Sequence, residues 1–212
     1  MAKSYSNNNV LSARFELAPF EGAWLEHLGR PALQGLWFVY GKSGSGKTTY
    51  CLKLAKYLTQ FVKKVAYNSL EQGLSPAMQM AWRRAGLEEC GRRIMLIDRE
   101  QLPELSKRLA KKQSPDIVFV DSVMYLEDSS ASDIIALRHR HPNKLFVIIG
   151  QERNGDAYNI KQIKIKHDAD IKIRVVGGVA RCETRYSTED GYGGADFVAY
   201  EQRKKDFNAE LK

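Results

Sequence analysis

Five short, nearly continuous apolar runs punctuate the chain: LWFVY at 36–40, KVAYNSL at 64–70, RIMLID at 93–98, DIVFVDS at 116–122 and KLFVIIG at 144–150. Each is rich in β-branched or aromatic residues, the pattern of strands buried on both faces. Between them, amphipathic spacing predicts helices over 48–61, 75–85, 103–112 and 132–140. In the first of these, Leu52, Leu54, Ala55 and Leu58 share roughly one side. Ser75-Pro76 reads as an N-cap followed by proline at the first helical position. Strand and helix in alternation predict an α/β fold of three layers, a mostly parallel sheet with right-handed crossovers and helices on both faces. After residue 160 the pattern changes. DIKIRVV, VARCETRY and ADFVAYE, separated by glycine-rich turns, predict C-terminal antiparallel strands that extend the sheet edge.

Composition narrows this to one folded domain. The chain has 212 residues, 43% of them hydrophobic, enough for a sizeable core and too few residues for two typical domains. We expect the domain over 11–200, a disordered polar N-terminus over 1–10 and a charged tail over 201–212. No apolar run approaches a membrane span, and MAKSYSNNNV has no apolar region of a secretory signal. Cys51, Cys90 and Cys182 form no CxxC or His/Cys cluster, so neither structural zinc nor a disulfide framework is expected. A cytoplasmic protein without membrane association fits these features.

The chemistry begins in YGKSGSGKTTY. Gly41, Gly46, Lys47 and Thr48 satisfy G-x-x-x-x-G-K-[ST] between a buried strand and an amphipathic helix, the context a phosphate-binding loop requires. Gly41, Gly44 and Gly46 permit a tight loop with positive φ. The loop Gly41, Lys42, Ser43, Gly44, Ser45, Gly46, Lys47, Thr48 and Thr49 then directs N–H groups and a helix N-terminus at one anion. Lys47 is placed to reach β- and γ-phosphates, and the Thr48 hydroxyl to ligate Mg²⁺. The alternative is a chance glycine-rich turn before a helix.

Three further polar residues each follow an apolar run, and in a parallel sheet those strand ends face one crevice. Asp121 ends DIVFVD and can hold Mg²⁺ through water, or merely cap a helix. Glu71 follows VAYNSL and can deprotonate an attacking water, or be a solvated loop carboxylate. Gln151 follows LFVIIG and can contact the γ-phosphate and report its loss to the next loop, or be a surface amide.

With these residues the chain resembles the RecA-like ATPases, the branch of RecA and RadA recombinases, KaiC-like proteins and DnaB-type helicases. The resemblance covers roughly residues 36–200 and rests on GKSGSGKTT, YNSLEQG, IVFVDS, VIIGQ, the stretch GDAYNIKQIKIKHDADIKIRVVGG, and RCETRYS. It implies a RecA-like P-loop NTPase fold and ATP hydrolysis with Mg²⁺. In RadA-like and KaiC-like members a similar Ser-Leu-Glu carries the catalytic base, which implies that role for Glu71. RecA and DnaB-like members have a Gln where Gln151 stands. The family's RadA pattern ends in Lys-Asn-Arg-Phe. Arg185 and Tyr186 match its Arg-Phe, while Glu183 stands where the lysine would be. Arg185 is thereby implied as an arginine finger reaching the ATP of a neighbouring subunit, in a homo-oligomer with ATP at its interfaces; an exposed strand arginine is the alternative. Motifs of the family's accessory domains are not found, so a bare motor core is expected.

Charge adds a candidate partner. Lys and Arg exceed Asp and Glu by 33 to 25, a formal net charge of +8. Residues 138–185 hold eleven Lys or Arg and five Asp or Glu. The segment 152–166 directly after Gln151 carries Arg153, Lys161, Lys164, Lys166 and Tyr158, and reads as a flexible basic loop suited to single-stranded DNA. The family's loop at this place contacts single-stranded DNA, which implies recombination or replication. Arg138 to His141 near Pro142 read as helix-end cations, not a metal site. Two other readings stand beside this one: a nucleotide-dependent regulatory or assembly module with little hydrolysis, and a small P-loop kinase, although the arginine-rich lid of such a kinase is not evident.

Overall fold

A computed structural model describes residues 4–201. Its elements run, in chain order, α1 (Asn7–Ser12), α2 (Gly22–Leu28), β1 (Gly35–Tyr40), α3 (Lys47–Leu58), β2 (Val65–Ser69), α4 (Pro76–Arg84), β3 (Ile94–Asp98), α5 (Leu102–Leu109), β4 (Ile117–Asp121), α6 (Ala131–Arg140) and β5 (Leu145–Ile149). There follow a hairpin of β6 (Glu152–Arg153) and β7 (Asp156–Ala157), then α7 (Ile160–Asp168), β8 (Ile171–Val176), β9 (Val179–Thr184) and β10 (Phe197–Val198). Eight strands form one sheet in the order β10-β9-β8-β1-β5-β4-β2-β3. Strands β8, β1, β5, β4, β2 and β3 run parallel, while β9 and β10 are antiparallel to their neighbours.

Strand alternation sorts the core into two layers. Trp37, Val39, Tyr67, Phe119, Val147 and Ile173 face α2, α3 and α4. Leu36, Phe38, Val118, Val120, Phe146 and Ile148 face α5, α6 and α7. Helix α3 buries Leu52, Leu54 and Leu58 completely, at roughly 2 kcal/mol for each leucine. That burial clamps the helix, and hence the loop before it, onto the sheet. Ser75 caps α4 by accepting the Met78 N–H at 3.2 Å, with Pro76 at the first helical position as its sequence predicts.

The structure departs from the sequence expectations in several places. Strand β8 does not lie at the edge; it pairs in parallel with β1, and β9 and β10 lie outside it. Residues 22–28 form α2, whose Trp24 stacks on Phe197 at 4.1 Å and on Tyr57 at 5.3 Å. Within the N-terminal stretch expected to be disordered, Ser6 caps the short helix α1, which buries no residue. The segment expected as a basic loop over 152–166 is instead a two-residue hairpin followed by α7. IKQIKIKH alternates every second residue like a strand. A helix wins because Asn159 caps it, accepting the Gln162 N–H at 3.0 Å, and because Ile165 and Ala169 bury against the sheet. Beyond residue 201, the expected charged tail lies outside the described residues. Among the described residues, no helix is long and apolar enough to cross a membrane.

Candidate functional site

The register brings the ends of β1, β5, β4 and β2 to one crest. Asp121 lies opposite Ile149 on one side and Ser69 on the other. The loop 41–46 leaves β1 beside them. Its glycines act differently from the common role expected of them. Gly44 and Gly46 have φ of 74° and 102°, left-handed values that favour glycine. Gly41 is needed for a close approach instead, because a Cβ there would meet the Val175 carbonyl oxygen at 2.2 Å. The turn between β8 and β9 braces the loop from the other side: Gly178 N–H donates to Ser45 O at 2.9 Å. Helix α3 starts at Lys47, so its first N–H groups, which have no partner within the helix, point into the loop's hollow.

Lys47 is buried and donates from Nζ to Gly41 O and Lys42 O, both at 2.8 Å, and to Gln151 Oε1 at 3.4 Å. Burial lowers its pKa, and the carboxylates of Asp121 and Glu71 oppose that shift. Asp121 Oδ2 accepts from Tyr67 OH at 2.5 Å and from Thr48 Oγ1 at 3.2 Å. Burial raises the Asp121 pKa, against those two hydrogen bonds and the Lys47 charge. The chain leaves Asp121 through a cis peptide to Ser122. Glu71 follows β2 at the rim, its backbone N–H donating to Asp121 O at 3.1 Å. Desolvation in the cleft, with Asp121 adding to it, raises its pKa, and Lys47 opposes this.

Together Ser43, Gly44, Gly46, Lys47, Thr48, Thr49, Glu71, Asp121 and Gln151 line a cleft of about 350 Å³. A larger hollow of about 740 Å³, between residues 14–19 and the opposite edge of the sheet, contains none of these residues. The donor set at Thr48 and Asp121, a hydroxyl and a buried carboxylate, is hard oxygen and fits Mg²⁺. Among the described residues there is no cluster of three or more His, Cys, Asp or Glu that could hold a metal by itself. That agrees with an ion completed by water and phosphate oxygens.

Arg185 is not part of this cleft. Strand β9 starts at the crest beside Val176 and ends at Thr184 beside Ile171, a strand's length away. Arg185 follows, its Nη1 3.3 Å from Asp170 Oδ1 and its side chain 62% exposed. The basic residues after Gln151 are partly committed elsewhere. Lys161 donates to Leu126 O and Ser129 Oγ, and Lys166 pairs with Asp156 at 2.7 Å over the Tyr40 ring. Arg153, Tyr158 and Lys164 are exposed.

Several residues of the site escaped the sequence reading. Tyr67 looks like core in an apolar strand, and only the β2–β4 register shows its hydroxyl meeting Asp121. Glu152 is buried next to Gln151 and held by Arg174 through two bonds of 2.8 and 3.0 Å. Gln72, Arg84 and Tyr200 complete the lining of the cleft. No sequence motif marks any of them.

Two solved structures share this arrangement of strands and helices. The ATPase domain of a DnaB-family helicase matches with a TM-score of 0.57 and 14% identity, over 80% of this chain and 82% of that one. The flagellar accessory protein FlaH from Methanocaldococcus jannaschii matches with a TM-score of 0.53 and 18% identity, over 76% of this chain and 83% of that one. The chain has the RecA-like P-loop ATPase fold. No family model matches the sequence, and no curated protein matches it. At these identities the RecA-like likeness extends to the fold alone, so function rests on the residues of the cleft.

Proposed function

We propose that the protein is an ATPase that binds ATP with Mg²⁺ in the cleft at the strand ends and hydrolyses it. The observation that carries this reading is the convergence of Lys47, the Thr48–Asp121 pair, Glu71 and Gln151 from four separate chain segments. Lys47 leaves its loop carbonyls to meet the β- and γ-phosphate oxygens, and the α3 N–H groups hold the phosphates. Mg²⁺, held by Thr48 and, through water, by Asp121, neutralises charge on those oxygens. Glu71 orients the attacking water and takes its proton, a task its raised pKa favours over an ordinary surface carboxylate. Gln151 contacts the γ-phosphate.

The fold separates Lys47 and Arg185 by the length of the sheet, which supports a head-to-tail homo-oligomer in which Arg185 serves a neighbour's ATP. Arg153, Tyr158 and Lys164, exposed beside Gln151, support single-stranded DNA as a partner, in recombination or replication. The experiment is Mg²⁺-dependent ATP turnover with and without single-stranded DNA, for the wild type and Glu71→Gln. The expected result is turnover that DNA stimulates and that falls by at least roughly a hundredfold in the variant. Nucleotide binding with turnover unchanged by Glu71→Gln would assign the cleft to a regulatory module. Absence of both stimulation and salt-sensitive DNA binding would remove the nucleic acid.

A further inference from the structure

Gln162 is a polar side chain enclosed in an apolar layer, 1% exposed on α7. Its Oε1 accepts the backbone N–H of Gln151 at 2.9 Å, and its Nε2 lies 2.9 Å from Met124 Sδ. Gly150 makes room for it: a Cβ there would stand 2.5 Å from Gln162 Oε1 and 2.6 Å from the Phe38 ring. Asn159, capping α7, holds the Gln162 backbone. One side chain thus touches both segments that leave the central strands: the residue after β5 whose side chain reaches Lys47, and the Val123–Tyr125 turn after β4. Met124 and Tyr125 in that turn are exposed. The two ends are unequal in strength. A backbone N–H buried with no other partner is costly to release, whereas a thioether is a weak acceptor. A shift at Gln151 therefore carries Gln162 with it and breaks the Met124 contact first.

We propose that Gln162 is a positioning residue: it fixes the backbone of Gln151 so that the Gln151 amide faces the γ-phosphate, and it passes displacement of Gln151 to the exposed Val123–Tyr125 turn. The inference rests on the phosphate-site reading above and adds a second surface segment to what responds to nucleotide.

The test compares wild type, Gln162→Leu and Met124→Leu. ADP and a non-hydrolysable ATP analogue are titrated into each, and amide hydrogen exchange is followed over residues 122–126. In the wild type, the analogue should bind more tightly than ADP and change protection of the turn. Gln162→Leu should bind ADP as the wild type does and lose roughly tenfold of the preference for the analogue, the weight of one buried hydrogen bond. Met124→Leu should keep the preference while its turn stops responding. Gln162→Leu with the preference and response intact overturns the proposal, as does an equal loss for both nucleotides, which marks a purely structural role. Should Gln162→Leu fail to fold, Met124→Leu decides: a turn that responds as in the wild type overturns the relay. A wild type that binds neither nucleotide rejects the phosphate-site reading beneath the proposal, a result distinct from all of these.

Discussion

Tyr67 donates its phenol hydrogen to Asp121 Oδ2 at 2.5 Å, across the β2–β4 pairing, and Thr48 donates to the same oxygen at 3.2 Å. The bond from Tyr67 aims a buried carboxylate at the end of α3 and favours its charged form against the desolvation that raises its pKa. Tyr67→Phe removes this bond while keeping the ring stacked on Phe119. The expected cost is about 2 kcal/mol of stability in urea unfolding, the usual scale for a buried hydrogen bond to a charged group. The Mg²⁺ concentration for half-maximal turnover should rise several-fold, because Asp121 then has one restraint and not two.

A second prediction concerns pH. His27 is fully buried, with Nδ1 2.6 Å from Ala195 O and Nε2 2.9 Å from Tyr50 OH. A carbonyl can only accept, so Nδ1 carries the hydrogen and Nε2 accepts from Tyr50 in the neutral ring. Burial pushes its pKa down from 6.5 to about 4, against the Ala195 carbonyl and the Asp196 charge. The folded value lies below the unfolded one, so the unfolded chain binds the extra proton first. This contribution to stability is complete above pH 6.5 and is lost as the pH falls toward 4, by about 3 kcal/mol. Urea unfolding between about pH 4 and 8 measures it. In His27→Gln the slope in that window should flatten.

The loop glycines give a third prediction, with an internal control. In Gly41→Ala the new methyl meets a backbone carbonyl of β8 at 2.2 Å, which cannot move without breaking the β1–β8 ladder. About 3 kcal/mol of destabilisation is expected, with loss of nucleotide binding. Gly22 has positive φ and no neighbour within 4 Å of a Cβ, so Gly22→Ala should cost only the strain of a left-handed alanine, about 1 kcal/mol, and leave binding unchanged. Thermal unfolding and nucleotide titration of both variants check this.

The cleft was legible because its parts follow a rule that needs no knowledge of tertiary contacts. Lys47, Glu71, Asp121 and Gln151 each come just after a continuous apolar run, and in a parallel sheet all such run ends share one crest. The helical α4 was equally plain from Ser75-Pro76. What stayed hidden depends on which strands are neighbours. Glu152 and Arg174 are 22 residues apart and meet only because β8 inserts beside β1. Helix α7 was hidden for another reason. Its isoleucines and lysines alternate with a period of two, and the buried Gln162 breaks the apolar face a helix would normally show. The cap at Asn159 and the burial of Ile165 outweigh that local pattern.

Arg185 and Lys47 supply the last prediction. Arg185 lies at the far end of β9 from the cleft, and its guanidinium is solvent-exposed beside Asp170, so it cannot reach the phosphate loop of its own chain. If it completes a neighbour's site, Lys47→Ala and Arg185→Ala each abolish turnover for different reasons: the first loses its own phosphate contact, the second fails the adjacent subunit. Mixing the two variants then creates one kind of interface in which an intact Lys47 faces an intact Arg185. Turnover in the mixture should recover to a sizeable fraction of wild type, while neither variant alone exceeds background. Arg185→Ala should also leave ATP affinity nearly unchanged, because the finger stabilises charge that develops during phosphoryl transfer. A mixture as inactive as its components would show that Arg185 is an exposed strand arginine paired with Asp170 and nothing more.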